Sequence, residues 1–417
     1  MESDMQNLKP LAWAVLLGLS ASPLADDSAF SFSGFGTVGV VRSNTDDAQY
    51  RNNFRQPDGA DKSASLKVDS KLGLQLSGKL SPAFSLTAQL LAQQNDEDKF
   101  TPELEWAFGK YAVTSDLSLR LGRIGMPVFL ISDFRNVGYA NTWVRPPVEV
   151  YAQVPLATFD GVDFVWSKAI GDNTLTLQPY AGSTKFDLVG NLKGKGKRLM
   201  GVNATYEVGS LLLRAGYVKT RFYLEGADTA RLFGGMRQVG AVLPGWTAAA
   251  NDMEAKDKAA SFAGIGATWD DGKLVLQGEY TQRRTKTYVE DTDAWYGTAG
   301  YRFGNLTPYI SYATTKTKHN DVADRLFAPP PQASCAVAPT QPICIKGAAM
   351  SAMSGADQHT TSLGVRWNAY KNIALKAQFD RVRADAGKDN WFNTPVGKPG
   401  VAGKSVNVYS LAADFIF

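Results

Sequence analysis

Cleaving a peptide, ester or phosphate bond would need a nucleophile beside a base, and this chain offers few bases. Its only histidines, His319 and His359, fall in one region, and no paired carboxylates with a nearby serine motif stand out. The two cysteines, Cys335 and Cys344, share a Pro-rich stretch between Phe327 and Met350. In an exported chain such a pair most simply forms a disulfide; free thiols are the alternative, and a metal would need more ligands than two thiols. The expectation is therefore no enzyme, no cofactor and no metal. What the chain does offer is charge set between apolar residues. Asp69, Lys71, Glu105, Arg120, Arg214, Glu279, Arg283, Arg302, Arg366, Lys376 and Asp414 all lie opposite an apolar parity. Such a pattern does electrostatic work on whatever passes it.

Strands must position these residues. Leu72, Leu74 and Leu76 alternate with Lys71 and Gln75, and Phe84, Leu86, Ala88 and Leu90 keep one parity after a turn at Ser81 and Pro82. A period of two means a strand with one greasy face. The first of these runs reads as one strand from Leu66 to Leu80, with Leu66 and Val68 on its apolar face and Lys67 and Asp69 on the other. The pattern continues through Leu104, Trp106 and Phe108, then Leu117, Leu119 and Leu121, and lapses from about Gly125 to Thr158. It resumes at Val162, with loops expected at Lys193 to Lys197 and at Tyr223 to Lys258. Sixteen strands are expected, joined alternately by seven short turns and eight longer connections. A soluble sandwich has no reason to sort its connections by length.

The last residues, Ser405 to Phe417, alternate as well, and the chain stops on an aromatic. At the other end Lys9 precedes the apolar run Leu11 to Leu19, too short for a membrane helix. Residues 1–25 read as a signal peptide, and Glu2 and Asp4 suggest that translation starts at Met5 rather than Met1. Residues 26–417 then form one domain. Hydrophobic content of 44% with 20% charged residues excludes a helical membrane bundle, yet a barrel hides its membrane signal because only alternate residues face lipid. A net charge of +4 is too mild for a dedicated nucleic-acid binder.

These features together resemble the general porins of Gram-negative bacteria, of the sixteen-stranded trimeric kind and outside the enterobacterial branch. The resemblance implies an all-β transmembrane antiparallel barrel in the outer membrane, a homotrimer, and passive diffusion of small hydrophilic solutes through a wet lumen. It makes Tyr409, Phe415 and Phe417 the signal for the barrel-assembly machinery. It folds a third loop, Gly125 to Thr158, inwards, and draws the constriction from Arg120, Asp133, Arg135, Arg145, Glu149 and Tyr151, with Asp133 and Glu149 facing wall arginines such as Arg120; a loop folded over the mouth or against a neighbouring subunit is the alternative. The remaining charges line the lumen wall, and their slight basic excess points to a weak anion preference. A channel specific for one anionic solute is the rival reading. Outer-membrane lipid and lipopolysaccharide are expected partners, the latter through Asp96, Glu97 and Asp98 by way of divalent cations unless that run is a solvated loop. Trp106, Trp269, Trp295 and Tyr301 are expected in aromatic girdles.

Overall fold

The computed structural model describes residues 29–155, 157–242, 245–318, 356–386 and 390–417. The signal segment 1–25, His319, Cys335 and Cys344 lie outside the described residues. Sixteen strands run in chain order. The first eight are β1 (Phe30–Ser43), β2 (Lys71–Lys79), β3 (Phe84–Gln93), β4 (Glu103–Ala112), β5 (Leu117–Gly125), β6 (Thr158–Ile170), β7 (Asn173–Leu188) and β8 (Leu192–Val208). The second eight are β9 (Leu211–Glu225), β10 (Lys258–Asp270), β11 (Leu274–Thr285), β12 (Asp291–Tyr301), β13 (Leu306–Lys318), β14 (Gln358–Tyr370), β15 (Ile373–Ala384) and β16 (Ser405–Ile416). Each pairs antiparallel with its neighbours in sequence, and β16 pairs with β1, so the sheet closes without an edge.

The period of two decides what each face meets. Along β13, Leu306, Ile310 and Tyr312 are exposed, whereas Thr307, Tyr309, Ser311 and Ala313 are buried. The same exposed apolar belt runs around the barrel through Leu72, Leu90, Leu121, Phe164, Ile265 and Leu411. An apolar surface on that scale suits lipid, not water. Trp269, Trp295 and Tyr301 belong to this outer face, Trp295 beside Tyr312 and Tyr301 beside Phe303.

The closing seam joins the two ends of the barrel. Phe417 donates its amide to the Gly34 carbonyl at 3.0 Å and accepts the Gly34 amide at 2.9 Å. Its ring lies over Gly34 and the Phe415 ring over Gly36, so close that a Cβ would fall 2.3 and 2.4 Å from them. Tyr409, also on β16, faces outwards beside Phe379.

Connection lengths alternate as expected at most junctions. Short turns at 80–83, 113–116, 171–172, 209–210, 271–273, 302–305 and 371–372 define one rim. At the other rim 44–70, 126–157, 226–257 and 385–404 are long, but 189–191 and 286–290 are short. The expected loop Lys193–Lys197 is strand: β7 and β8 project beyond the belt as a hairpin, where no lipid imposes apolar alternation. The expected loop Tyr223–Lys258 holds the last residues of β9 and two helices, α1 (Ala227–Gly240) and α2 (Trp246–Met253), packed on each other through Phe233, Met236 and Trp246. The expected strand over Leu66–Leu80 begins only at Lys71; Val68 instead joins an apolar cluster with Val41, Tyr50, Trp391 and Val408.

Trp106 corrects the parity of β4. Gln89 pairs with Trp106 but the next residue, Leu90, pairs with Leu104, leaving Glu105 as the extra residue of a β-bulge. One extra residue exchanges the faces. Trp106 and Phe108 therefore lie opposite the inward residues Gln89 and Thr87, and Trp106 is not a girdle residue.

The third loop and its wall

The connection 126–157 departs from β5 and returns at β6 with a 3-10 turn at Gly138–Ala140 and a single helical turn at Val148–Tyr151. Its apolar residues have no lipid to meet and bury themselves against inward side chains of the barrel. Met126, Val128, Phe129, Leu130, Ile131, Trp143, Val150 and Val154 share one core with Leu212, Val218, Phe262, Tyr296 and Tyr309. Phe129 meets Phe262 at 4.9 Å and Trp143 meets Tyr296 edge-on at 5.5 Å. Trp143 also donates Nε1–H to Thr298 at 2.9 Å. Each large side chain buried this way contributes about 1.5–3 kcal/mol. The turn at Gly138 sits so near β1 and β16 that a Cβ there would fall 2.1 Å from Asp414 Oδ1 and 2.5 Å from Thr37 Oγ1.

Charge completes the docking. Arg145 is 3% exposed and donates to both oxygens of Asp69 at 2.9 and 2.6 Å, to Asp380 at 3.0 Å and to Ser410. Its guanidinium also lies 5.1 Å from the Tyr50 ring. Burial works against the Arg145 cation, but Asp69, Tyr50 and Asp380 outweigh it and hold its pKa above the ordinary value. From the wall, Lys376 donates to the carbonyls of Gly138 and Trp143, both at 2.7 Å, and pairs with Asp414. Arg366 donates to the carbonyls of Tyr139 and Asn141, and Arg283 to that of Gln153. Glu279 accepts the Leu130 amide at 2.8 Å and the Tyr151 hydroxyl at 2.6 Å. Glu149, 2% exposed, accepts from Gln358 at 2.7 Å and from Thr360. Burial raises the Glu149 pKa against the pull of these two donors, and burial likewise raises that of Tyr151.

These contacts redistribute the expected site. Asp69, Arg145, Glu149, Glu279, Arg283 and Lys376 are buried between loop and wall, so they anchor the loop and do not line water. Arg366 does the same from a half-buried position. Arg302 is no wall residue: it follows β12 in a short turn and pairs with Asp270. Arg120 makes no direct pair with Asp133 or Glu149, although its charge reaches Asp133 alongside that of Arg214; it forks onto Asp163 of the adjacent strand, at 2.9 Å through Nε, while Gln178 donates to the same carboxylate. Asp133 pairs with Arg214 at 2.6 Å. Burial opposes ionisation of Asp133, but Arg214 outweighs it and holds the carboxyl below its ordinary value. In the loop 94–102, Asp98 pairs with Lys67, Glu97 with Lys99 and Asp96 with Arg55.

The loop's other edge faces β4–β6. Asn136 donates to Glu105 at 3.2 Å, and Arg135 feels Glu105 while burial lowers its pKa. Across from this edge, Lys110 pairs in register with Arg120, whose guanidinium lies 5.3 Å from the Phe108 ring. Lys110 is exposed, and Arg120, Asp133 and Arg135 are partly so. Asp163, Asp380 and Lys110 escaped the sequence reading. Parity alone finds Asp163, between Val162 and Phe164, and Asp380, next to Phe379, but Lys110 shares the parity of Trp106 and Phe108 and turns inwards only through the bulge.

A closed barrel with an apolar outside, a polar inside and a charged loop docked across it defines a transmembrane diffusion channel. The family model for Gram-negative porins matches residues 12–414, and the chain belongs to that family. Solved structures share its fold. The anion-selective porin of Comamonas acidovorans superposes with a TM-score of 0.53 at 13% identity, covering 94% of this chain and 100% of that one. OmpF of Salmonella typhi, in complex with daunomycin, gives 0.52 at 14% identity, covering 93% and 97%. The trimer form of OmpT from Vibrio cholerae gives 0.51 at 12% identity, covering 94% and 100%. No curated protein sequence matches the chain. The protein is thus an outer-membrane channel for passive diffusion of small hydrophilic solutes.

Proposed function

We propose that solutes are sorted where the loop edge Asp133–Asn136 faces β4–β6, and that the sorting favours anions weakly. The carrying observation is a charge count among neighbouring groups. Lys110, Arg120, Arg135 and Arg214 stand against Glu105, Asp133 and Asp163. One cation in excess, beside low-dielectric walls, raises the local anion concentration. No energy source or covalent step is needed. The chain works as a homotrimer, by extension from the trimeric OmpT, and is exported by removal of residues 1–25. The seam residues Phe415 and Phe417, with Tyr409, serve the assembly machinery.

The test is the reversal potential of the refolded mature channel across a salt gradient. Arg120 is a poor probe because its loss would strand the fully buried Asp163. Lys110→Glu reverses one exposed charge and moves the potential towards cation preference. An unchanged potential refutes this location. Conductance that saturates with one anion would instead support the solute-specific channel.

A further inference from the structure

At the long-loop mouth of the barrel, Arg51 is a cation with no carboxylate partner among the described residues. The segment 50–56 of loop 44–70 lies inside that mouth, over the docked third loop. Tyr50 reaches Arg145 at 3.5 Å, Asn52 and Gln56 both donate to the Val68 carbonyl, at 2.6 and 2.9 Å, and Arg55 pairs with Glu103 at the start of β4. Residues 390–393 of loop 385–404 cross to meet this segment. Asn393 exchanges backbone hydrogen bonds with Gln49, and the Trp391 amide donates to Gln358, which itself donates to Glu149 of the third loop. Two loops that flank the closing seam therefore build one floor for solutes arriving from outside.

Arg51 sits in that floor, partly exposed. Its Nε–H donates to the Trp391 carbonyl at 3.0 Å, and its guanidinium lies 5.1 Å from the Phe54 ring, which meets the Trp391 ring edge-on at 4.6 Å. Neither of its Nη groups has an acceptor among the described residues. The acidic residues of the same loop are engaged elsewhere. Asp46 pairs with Lys62, Asp47 with Lys404, Asp58 with Lys67 and Asp69 with Arg145, while Asp61 accepts the Ser63 amide. With no carboxylate to offset it, the packing around Arg51 lowers its pKa to about 10, which leaves it a cation at neutral pH. A second donor points the same way. Trp391 is 3% exposed, and its indole N–H has no acceptor among the described residues. The cluster thus sets unanswered donors beside aromatic surface.

We infer that Arg51, with Phe54 and Trp391, forms a capture site for small carboxylates with a flat apolar body, aryl carboxylates above all. The planar guanidinium offers its two Nη groups to the two carboxylate oxygens, and the apolar body rests on the partly exposed Phe54 ring. A dianionic phosphate is the poorer occupant, because it gives up more hydration on entering aromatic surroundings. The site deepens the anion preference argued for the lumen by naming a class of solute, and it rests on that reading only for the passage that follows capture. It is built on loops 44–70 and 385–404, not on the loop edge Asp133–Asn136.

The experiment titrates the folded mature channel in detergent with para-fluorobenzoate and follows line broadening by fluorine NMR. The amide para-fluorobenzamide, of the same shape without the charge, reports partition into the micelle. Loss of a charge-assisted hydrogen-bonded pair weakens binding roughly tenfold or more. Arg51→Gln should therefore bind para-fluorobenzoate at least that much more weakly and no better than the amide, whereas Arg51→Lys, which keeps the charge without the fork, falls between. Because Arg51 answers no carboxylate among the described residues, its loss strands none, and the Gln49 and Asn393 amides keep their exchange protection in Arg51→Gln. Equal para-fluorobenzoate affinity in wild type and Arg51→Gln overturns the site, and displacement by equimolar inorganic phosphate overturns its assignment to carboxylates. The filter at the loop edge fails separately, since Lys110→Glu tests it by reversal potential whereas binding at Arg51 is read without a salt gradient.

Discussion

Replacing Arg145 with Met keeps the bulk of the side chain and removes its charge. Two carboxylates, Asp69 and Asp380, each 2% exposed, then lose the cation that pairs with both. Removing one partner of a buried pair costs about 3–5 kcal/mol, because the remaining charge stays desolvated. Here some relief is at hand. Asp380 keeps the Gln378 amide at 2.7 Å and Asp69 the Asn52 amide at 3.4 Å, which places the cost near the lower figure. A penalty of about 3 kcal/mol multiplies local opening of the loop by roughly a hundredfold. Amide hydrogen exchange reads this directly at Val144, Val150 and Ala152, whose N–H groups are bonded to Gln378, Pro147 and Val148. Their protection should fall by that factor while amides of the β7–β9 ladder stay protected. Adding Asp69→Asn and Asp380→Asn should restore most of it. Protection within threefold of wild type in the single variant would refute the idea that this cation holds the loop to β15 and β16.

Other substitutions separate the remaining forces. Glu149→Gln leaves an oxygen to accept from Gln358 and Thr360. Because burial raises the Glu149 pKa, its contribution to loop stability is present at acid pH and is lost as pH rises through the raised value; the glutamine variant should therefore lose that pH slope, and an unaltered slope in loop exchange would sink the assignment. Gly138→Ala drives a methyl into Asp414 and Thr37, so about 1–3 kcal/mol of loop docking should vanish, seen as extra noise in single-channel records. Quiet channels from that variant would contradict the close approach. Deleting Glu105 removes the bulge and leaves Trp106 directly after Leu104 in regular alternation, so Trp106 should stay on the inner face, and strong quenching of its fluorescence by a lipid-phase quencher would contradict this pairing.

What the sequence made legible was whatever depends on parity. The strands, their number, the closing segment and the inward set of charges all follow from alternation, which is local. Failures came where alternation had no cause or was interrupted. Lys193–Lys197 forms strand above the lipid belt, so nothing selected apolar residues there and the stretch looked like a loop. Trp106 changed face because Glu105 is a bulge, and a bulge leaves no mark in a single sequence. The partners of Asp133 and Arg145 were illegible for a different reason. They depend on the path of the loop across the barrel, which brings Arg145 to residues as distant in sequence as Asp380 and Ser410.

The same geometry divides the charges into two functions that should be separable. On β11, β14 and β15 the inward cations Arg283, Arg366 and Lys376 end on backbone carbonyls of the loop, Lys376 at Gly138 and Trp143. A cation committed to two carbonyls and buried from water cannot attract a passing solute strongly, since its field is largely answered within a few ångströms. On β4 to β6 Lys110 remains exposed and Arg120 keeps part of its surface accessible. Anchoring substitutions such as Arg145→Met should therefore alter loop opening and current noise but leave ion preference nearly unchanged, whereas Lys110→Glu, on the wall strand β4, should shift preference and leave loop exchange alone. Measuring both quantities on both variants gives a crossed test. If the anchor variant shifted the reversal potential as far as Lys110→Glu, the loop and the filter would be one electrostatic unit, and the division drawn from these contacts would fail.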